Sequence, residues 1–357
     1  MPLKVCFFGS YAKDYARNRI LLKALRAAGF EVLERRSDIG NPLLRYRRLW
    51  RICARDDFDL ILSAFPSAWD VPLARALSLA KRCPLIFDAH LSLYDSMVHD
   101  RRQVSEGSLS SVRLFGLDKV SCTLADVVLL DTLEHIKYFV KTFKVPPSKF
   151  RRVWVGSDDE VFYPRRVEKT TDKFVVFFYG SFIPLQGVPY IVKAAKLLQR
   201  EKDLIFKIVG RGQTFNYVFQ LTMSLKVNNV TFLGWVDYYS LPNYIAEADV
   251  CLGVFGDTPK TLRVIPNKVY DALAMAKPVI TGNTPAIREA LTHGVNVWLC
   301  RVADPRSLAD AILTLKEDRK LREKIALNGY QLFKKKFSIK AIGNLLKLII
   351  NEIMTSL

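Results

Sequence analysis

Three stretches of this sequence carry residues whose types and spacing suit the handling of phosphate. Gly180-Ser181-Phe182-Ile183-Pro184-Leu185-Gln186-Gly187 directly follows an apolar run at 175–179 and precedes a helical pattern at 188–199. Such a glycine-bearing turn lets backbone N–H groups approach an anion at a helix start. Val209-Gly210-Arg211-Gly212 repeats the arrangement after the next run and adds a fixed guanidinium suited to oxygen-rich anions. The third stretch runs from Arg263 through Pro266, Asn267, Lys268 and Asp271 to Ala274-Met275-Ala276-Lys277-Pro278-Val279. A helix starting after Pro266 puts Lys268 and Asp271 one turn apart on one face. An ammonium there can hold a diphosphate, and a carboxylate can accept from ribose hydroxyls. An ordinary exposed ion pair fits the same spacing.

These turns need sheets to position them. Short apolar runs at 5–8, 60–62, 85–87, 127–130, 174–179, 206–209, 250–254 and 279–281 alternate with amphipathic stretches, a pattern of parallel strands in βαβ units. The first set ends at Val153-Trp154-Val155, and a Pro/Arg/Lys/Thr-rich stretch at 163–173 follows as the linker. The fold class is therefore α/β, with two Rossmann-like, doubly wound units leaving a cleft between them. The boundaries read as 1–165 and 166–336. The last segment, 337–357, is an amphipathic helix that returns to the first unit.

Composition narrows the class. The 357 residues, half of them apolar, exceed one compact domain, and a formal charge of +19 spread over both halves favours anionic partners. Six scattered cysteines with no C-x-x-C pair read as buried, reduced residues of a cytoplasmic protein. The N-terminal apolar run is too short for a signal peptide. No run approaches the roughly 18 apolar residues of a membrane span. A nucleic-acid-binding role is disfavoured because the basic residues are scattered and no strand motif for base stacking is present.

With these motifs in order, the sequence resembles the retaining family-4 glycosyltransferases of the GT-B fold, the glycosyl transferases group 1 type, over nearly its whole length. The glycine loop at Gly180, Gly210-Arg211-Gly212, Asp271 and the Ala274 to Val279 stretch fall where that family has them. So do Val155-Gly156-Ser157-Asp158 through Phe162-Tyr163-Pro164, Phe232-Leu233-Gly234-Trp235-Val236, and Ala248-Asp249-Val250. Three positions depart from the pattern. Arg263 stands for the first acidic residue, Asp271 is the shorter form of the second, and Gln186 replaces the lysine before Gly187. Lys268, with Arg263 or Arg211, is the substitute for the missing positive charge.

The resemblance implies transfer of a sugar from a nucleotide-diphosphate donor, a UDP- or GDP-sugar, to a lipid-linked sugar, glycan or small-molecule acceptor with retained configuration. No metal or other cofactor is implied. Donor-side residues are then Gly180, Ser181, Gln186, Gly187, Arg211, Arg263, Asn267, Lys268 and Asp271. The acceptor side takes Gly9, Ser10 and Tyr11 at the end of the first run and Arg17 near the start of the helix that follows. His90, closing Phe87-Asp88-Ala89-His90, contacts the transferred sugar and joins Lys268 and Asp271 as catalytic; a loop histidine without a chemical role is the alternative. A nucleotide-sugar epimerase or a non-catalytic partner subunit would share the fold.

One further stretch, Asn41-Pro42-Leu43-Leu44-Arg45-Tyr46-Arg47-Arg48-Leu49-Trp50-Arg51-Ile52-Cys53-Ala54-Arg55, mixes arginines with apolar side chains. Arg45, Arg48 and Arg55 at near-helical spacing, with Arg47 and Arg51 beside them and Trp50 among them, suit the anionic inner face of a membrane. A solvated helix packed on its own domain fits the composition equally well.

Overall fold

The apolar runs form parallel strands because both faces of each sheet are covered by helices, so the strands carry little polar alternation. The computed structural model describes residues 2–355. The first sheet contains β1 (Lys4–Gly9), β2 (Glu31–Arg36), β3 (Leu60–Ser63), β4 (Leu85–His90), β5 (Val127–Leu130) and β6 (Phe150–Arg152), in the order β2-β1-β3-β4-β5-β6. The second contains β7 (Phe174–Tyr179), β8 (Leu204–Val209), β9 (Val230–Gly234), β10 (Val250–Leu252), β11 (Val279–Gly282) and β12 (Trp298–Cys300), in the order β12-β11-β10-β7-β8-β9. Within each sheet the chain order reverses once, between β1 and β3 and between β7 and β10. In open α/β sheets ligands bind beyond the carboxyl ends of the strands at such a reversal.

Contacts divide the chain into two units. One takes the chain up to Val98, Arg102–Gly156 and the chain from Ile339; the other takes His99–Arg101 and Ser157–Ser338. The break after Gly156 falls earlier than the sequence-based boundary at 165, and packing explains the shift. Phe162 is fully buried with its ring edge-on to Tyr238 at 5.2 Å, and Ser157 donates to Asp271, so this segment is anchored within the second unit.

The C-terminal helix Ile339–Thr355 belongs to the first unit, where it packs on the helix Ala16–Ala27. It buries Ile342, Leu346, Ile349, Ile350 and Ile353, each adding about 1.5–3 kcal/mol when removed from water. Gly343 permits the close approach: a Cβ there would lie 2.6 Å from the Ala24 carbonyl oxygen. No helix among the described residues is long and apolar enough to cross a membrane.

Candidate functional site

The second sheet's reversal is flanked by the loops that follow β7 and β10. After β7 the chain turns at Gly180, forms a 3₁₀ turn over Pro184–Gln186 and enters the helix Val188–Leu197 through Gly187. Gly187 has φ +68°, and a Cβ there would strike the backbone of Phe255 and Gly256 in the loop after β10. Only glycine lets the two loops lie this close. Gly180, at φ +153°, faces the third motif: a Cβ would stand 2.7 Å from Lys268 Nζ. Gly180→Ala is therefore expected to displace the ammonium and to add backbone strain of about 1–3 kcal/mol. Titration calorimetry with pyrophosphate should show about tenfold weaker binding, and unchanged affinity would separate Gly180 from the anion site.

Lys268 is the second residue of the helix Asn267–Ala274, and it is buried. Its Nζ hydrogen-bonds Gln186 Oε1 and sits 4.0 Å from the centroid of the Phe178 ring. No carboxylate pairs with it among the described residues. Burial pushes its ammonium well below the usual lysine range. Asp271 is also buried and does not pair with Lys268: its two oxygens accept from Ser157 Oγ and Tyr179 Oη. Burial, then the charge of Asp271, raises the Tyr179 phenol well above its ordinary value, so it stays a donor. Neither residue is exposed and the two are not partnered, so the surface ion-pair alternative does not hold.

Ser157 and Tyr179 escape a motif-based reading because their role lies in holding Asp271 from distant positions in the chain. Tyr179 had one signal, a hydroxyl at a strand end next to the glycine turn. Of the remaining donor-side candidates, Ser181 and Arg211 are exposed, while Arg263 and Asn267 are half-buried at the end of one 3₁₀ turn and the start of the helix. The structure brings together Gly180, Gln186 and Lys268 directly. Arg211 and Asn267 make no side-chain hydrogen bond or ion pair among the described residues.

In the first unit, Gly9, Ser10 and Tyr11 lie at the β1/β3 reversal, but their groups are engaged within the unit. Ser10 gives its N–H and hydroxyl to Asp70, at 2.8 and 2.6 Å. Tyr11 is buried and donates to Glu34 at 3.1 Å. Arg17 needs correction as an acceptor-side group. It is wholly buried, bridges Asp88 at 2.8 Å and donates to the carbonyls of Val153 and Trp154 at 2.6 and 2.9 Å. Its guanidinium ties the first helix to β4 and to the chain beyond β6. His90 ends β4 at φ +55°, beside an irregularity in the β4–β5 ladder, with Nε2 3.2 Å from Tyr15 Oη. The Phe65 ring meets it edge-on at 5.1 Å. Left-handed backbone at a non-glycine residue concentrates at functional sites.

The arginine-rich stretch forms the helix Pro42–Arg55, capped by the Asn41 side chain accepting from the Leu43 and Leu44 N–H groups. Arg45 is a correction: it points inward and bridges Asp70 at 2.7 Å. Arg47, Arg48, Arg51 and Arg55 are exposed, with no ion pair among the described residues. Leu43 is 80% exposed, and Leu44, Trp50 and Trp69 are exposed as well. Tyr46 donates to the Trp69 carbonyl and so joins this surface to the helix.

Residues 160–332, nearly all of the second unit, match the family described as Glycosyl transferases group 1. The match covers just under half of the chain. The chain is similar to alpha-D-kanosaminyltransferase of Streptomyces kanamyceticus, 25% identical over 184 residues covering 51% of this chain and 46% of the relative. N-acetyl-alpha-D-glucosaminyl L-malate synthase of Bacillus anthracis is 23% identical over 227 residues, 61% and 56% of the two chains. The chain spans about half the length of the curated relatives it matches. Among solved structures, HepE of Anabaena in complex with UDP superposes at a TM-score of 0.73 with 17% identity, covering 100% of both chains. Sucrose-phosphate synthase of Thermosynechococcus elongatus does so at 0.75, again with 17% identity and 100% of both. The group 1 segment thus sits within the two-sheet α/β fold of GT-B glycosyltransferases.

Proposed function

We propose that the protein is a glycosyltransferase that moves a sugar from a nucleotide-diphosphate donor to a glycan, lipid-linked or small-molecule acceptor with retained anomeric configuration. The observation that carries this reading is the buried Lys268 ammonium, held beside Gly180 at the second sheet's reversal without a carboxylate partner. A cation placed there meets the charge that develops on a departing nucleoside diphosphate, and in a dry site it acts strongly. Asp271, steadied by Ser157 and Tyr179, accepts from the donor's ribose. Arg211 and Arg263 supply further positive charge, Ser181, Gln186 and Asn267 line the donor side, and no metal is required. To the first unit we assign the acceptor side, and to His90 an action on the transferred sugar. The complexes of HepE with UDP and with UDP-glucose support a uridine or related donor. A thermal-shift screen of UDP-, GDP- and ADP-sugars tests the reading, followed by donor turnover with and without added acceptors. Turnover that never depends on an acceptor would identify an epimerase or hydrolase, and stabilisation by no sugar nucleotide would overturn donor binding.

We further propose that the protein works in the cytoplasm against the anionic face of a membrane, through Arg47, Arg48, Arg51 and Arg55 with Leu43, Trp50 and Trp69. Each basic side chain near such a surface adds about 1 kcal/mol. The triple variant Arg47→Glu/Arg48→Glu/Arg51→Glu is expected to lose salt-sensitive binding to phosphatidylserine-containing vesicles in a sedimentation assay. Arg45→Glu tests the buried Asp70 bridge instead and is expected to lower the melting temperature. Equal binding to neutral vesicles, or none to anionic vesicles at low salt, would remove the membrane from the reading.

A further inference from the structure

Gln186 closes the 3₁₀ turn Pro184–Gln186 after β7, and its amide oxygen accepts from Lys268 Nζ. The Phe178 ring, 4.0 Å from the same nitrogen, covers another side of the ammonium, and Gly180 leaves a third side free of any Cβ. Both side-chain partners favour the charged form by geometry, yet both are neutral. The titratable and charged groups on the surrounding elements do not neutralise it. Asp271, on the same helix, accepts from Ser157 and Tyr179, and Tyr179 remains protonated. On β10, Cys251 is a buried thiol pushed up to about 12. β11 carries no charged residue, and no side chain of the helix Arg319–Lys336 forms an ion pair with Lys268. Arg263, at the end of the 3₁₀ turn Pro259–Arg263, adds positive charge.

We propose that Gln186 is a positioning residue that, with Phe178, fixes Lys268 without compensating it, so that the donor's diphosphate provides the missing counter-charge and draws a proton onto Lys268 as it binds. This rests on the donor-binding reading above. The amide thus prepositions a single ammonium on a neutral oxygen. The burial-driven fall in the Lys268 pKa agrees with this arrangement.

The test is isothermal titration of UDP-glucose, GDP-mannose and ADP-glucose into the intact protein from about pH 6.5 to 8.5, each in two buffers of different ionisation enthalpy. Across that range the ligand diphosphate does not titrate. The wild type is expected to take up a fraction of a proton that grows with pH, with affinity falling by up to about tenfold per pH unit. In Lys268→Arg the guanidinium stays charged throughout, so both the uptake and the slope should vanish. In Gln186→Glu a preformed ion pair should also abolish the uptake and weaken binding at the lower end of the range. If Gln186 were only structural, Gln186→Glu would shift the melting temperature and leave the proton stoichiometry as in the wild type. Wild-type binding without proton uptake, or uptake unchanged in Gln186→Glu, overturns the proposal while leaving donor binding intact. Failure of all three ligands to bind would instead overturn the donor reading itself, and this inference with it.

Discussion

Asp88→Ala is expected to cost the first unit about 3–5 kcal/mol, because it removes the carboxylate that the wholly buried Arg17 guanidinium bridges. The two carbonyls that Arg17 also reaches are weaker acceptors than a carboxylate. The intact pair, however, is not itself a large stabiliser. Burial, partly offset by Arg17, holds the Asp88 carboxyl above the usual carboxylate range, so desolvation outweighs the attraction. Its pH sign follows. Between the ordinary aspartate value and the raised native one, the folded state binds more protons than the unfolded state, so this residue's contribution to stability falls as pH rises through that window. An apolar exchange, Arg17→Met with Asp88→Leu, should therefore recover most of the loss. Urea unfolding followed by tryptophan fluorescence would measure both variants. A cost below about 1 kcal/mol for Asp88→Ala would mean that water or another group reaches Arg17.

The eight strands readable as apolar runs are β1, β3, β4, β5, β7, β8, β10 and β11, and these are the inner strands of the two sheets. β2, β6, β9 and β12 are the four edges. An edge strand is flanked on one side only and needs less apolar surface. β2 illustrates this: Glu31, Glu34, Arg35 and Arg36 make up most of it, and none of its residues is fully buried. The glycine turn at Gly180 was legible because strand, turn and helix are neighbours in sequence. The partners that define the site were not, because Gln186 lies 82 residues from Lys268, and Tyr179 and Ser157 lie 92 and 114 from Asp271. The same blindness misplaced two arginines. The family resemblance put Arg17 on the acceptor side, and composition and spacing put Arg45 on a membrane-facing surface, whereas Asp88 and Asp70, 71 and 25 residues away, draw them inside.

Lys268→Met should separate binding from stability in opposite directions. Methionine keeps an unbranched chain of similar length against Phe178 and removes the ammonium. If the charge is held for a diphosphate, affinity for the best-bound sugar nucleotide should fall by about 1.5–3 kcal/mol, the value of hydrogen bonds to a charged group, which is roughly 10- to 150-fold. The unliganded protein should melt higher, because a buried ammonium with only neutral partners disfavours folding. The pH dependence fixes the sign. Native Lys268 holds its proton less tightly than an unfolded lysine, so between the lowered native value and about 10.4 the unfolded chain binds more protons. Wild-type stability should accordingly rise with pH across that window, and the gain from Lys268→Met should shrink as it does. Differential scanning fluorimetry across pH, with and without donor, measures each part. A variant that melts lower at every pH would show that the Gln186 bond and the Phe178 ring outweigh burial, making Lys268 a structural strut. A variant that melts higher but binds donor unchanged would move the diphosphate to Arg211 and Arg263.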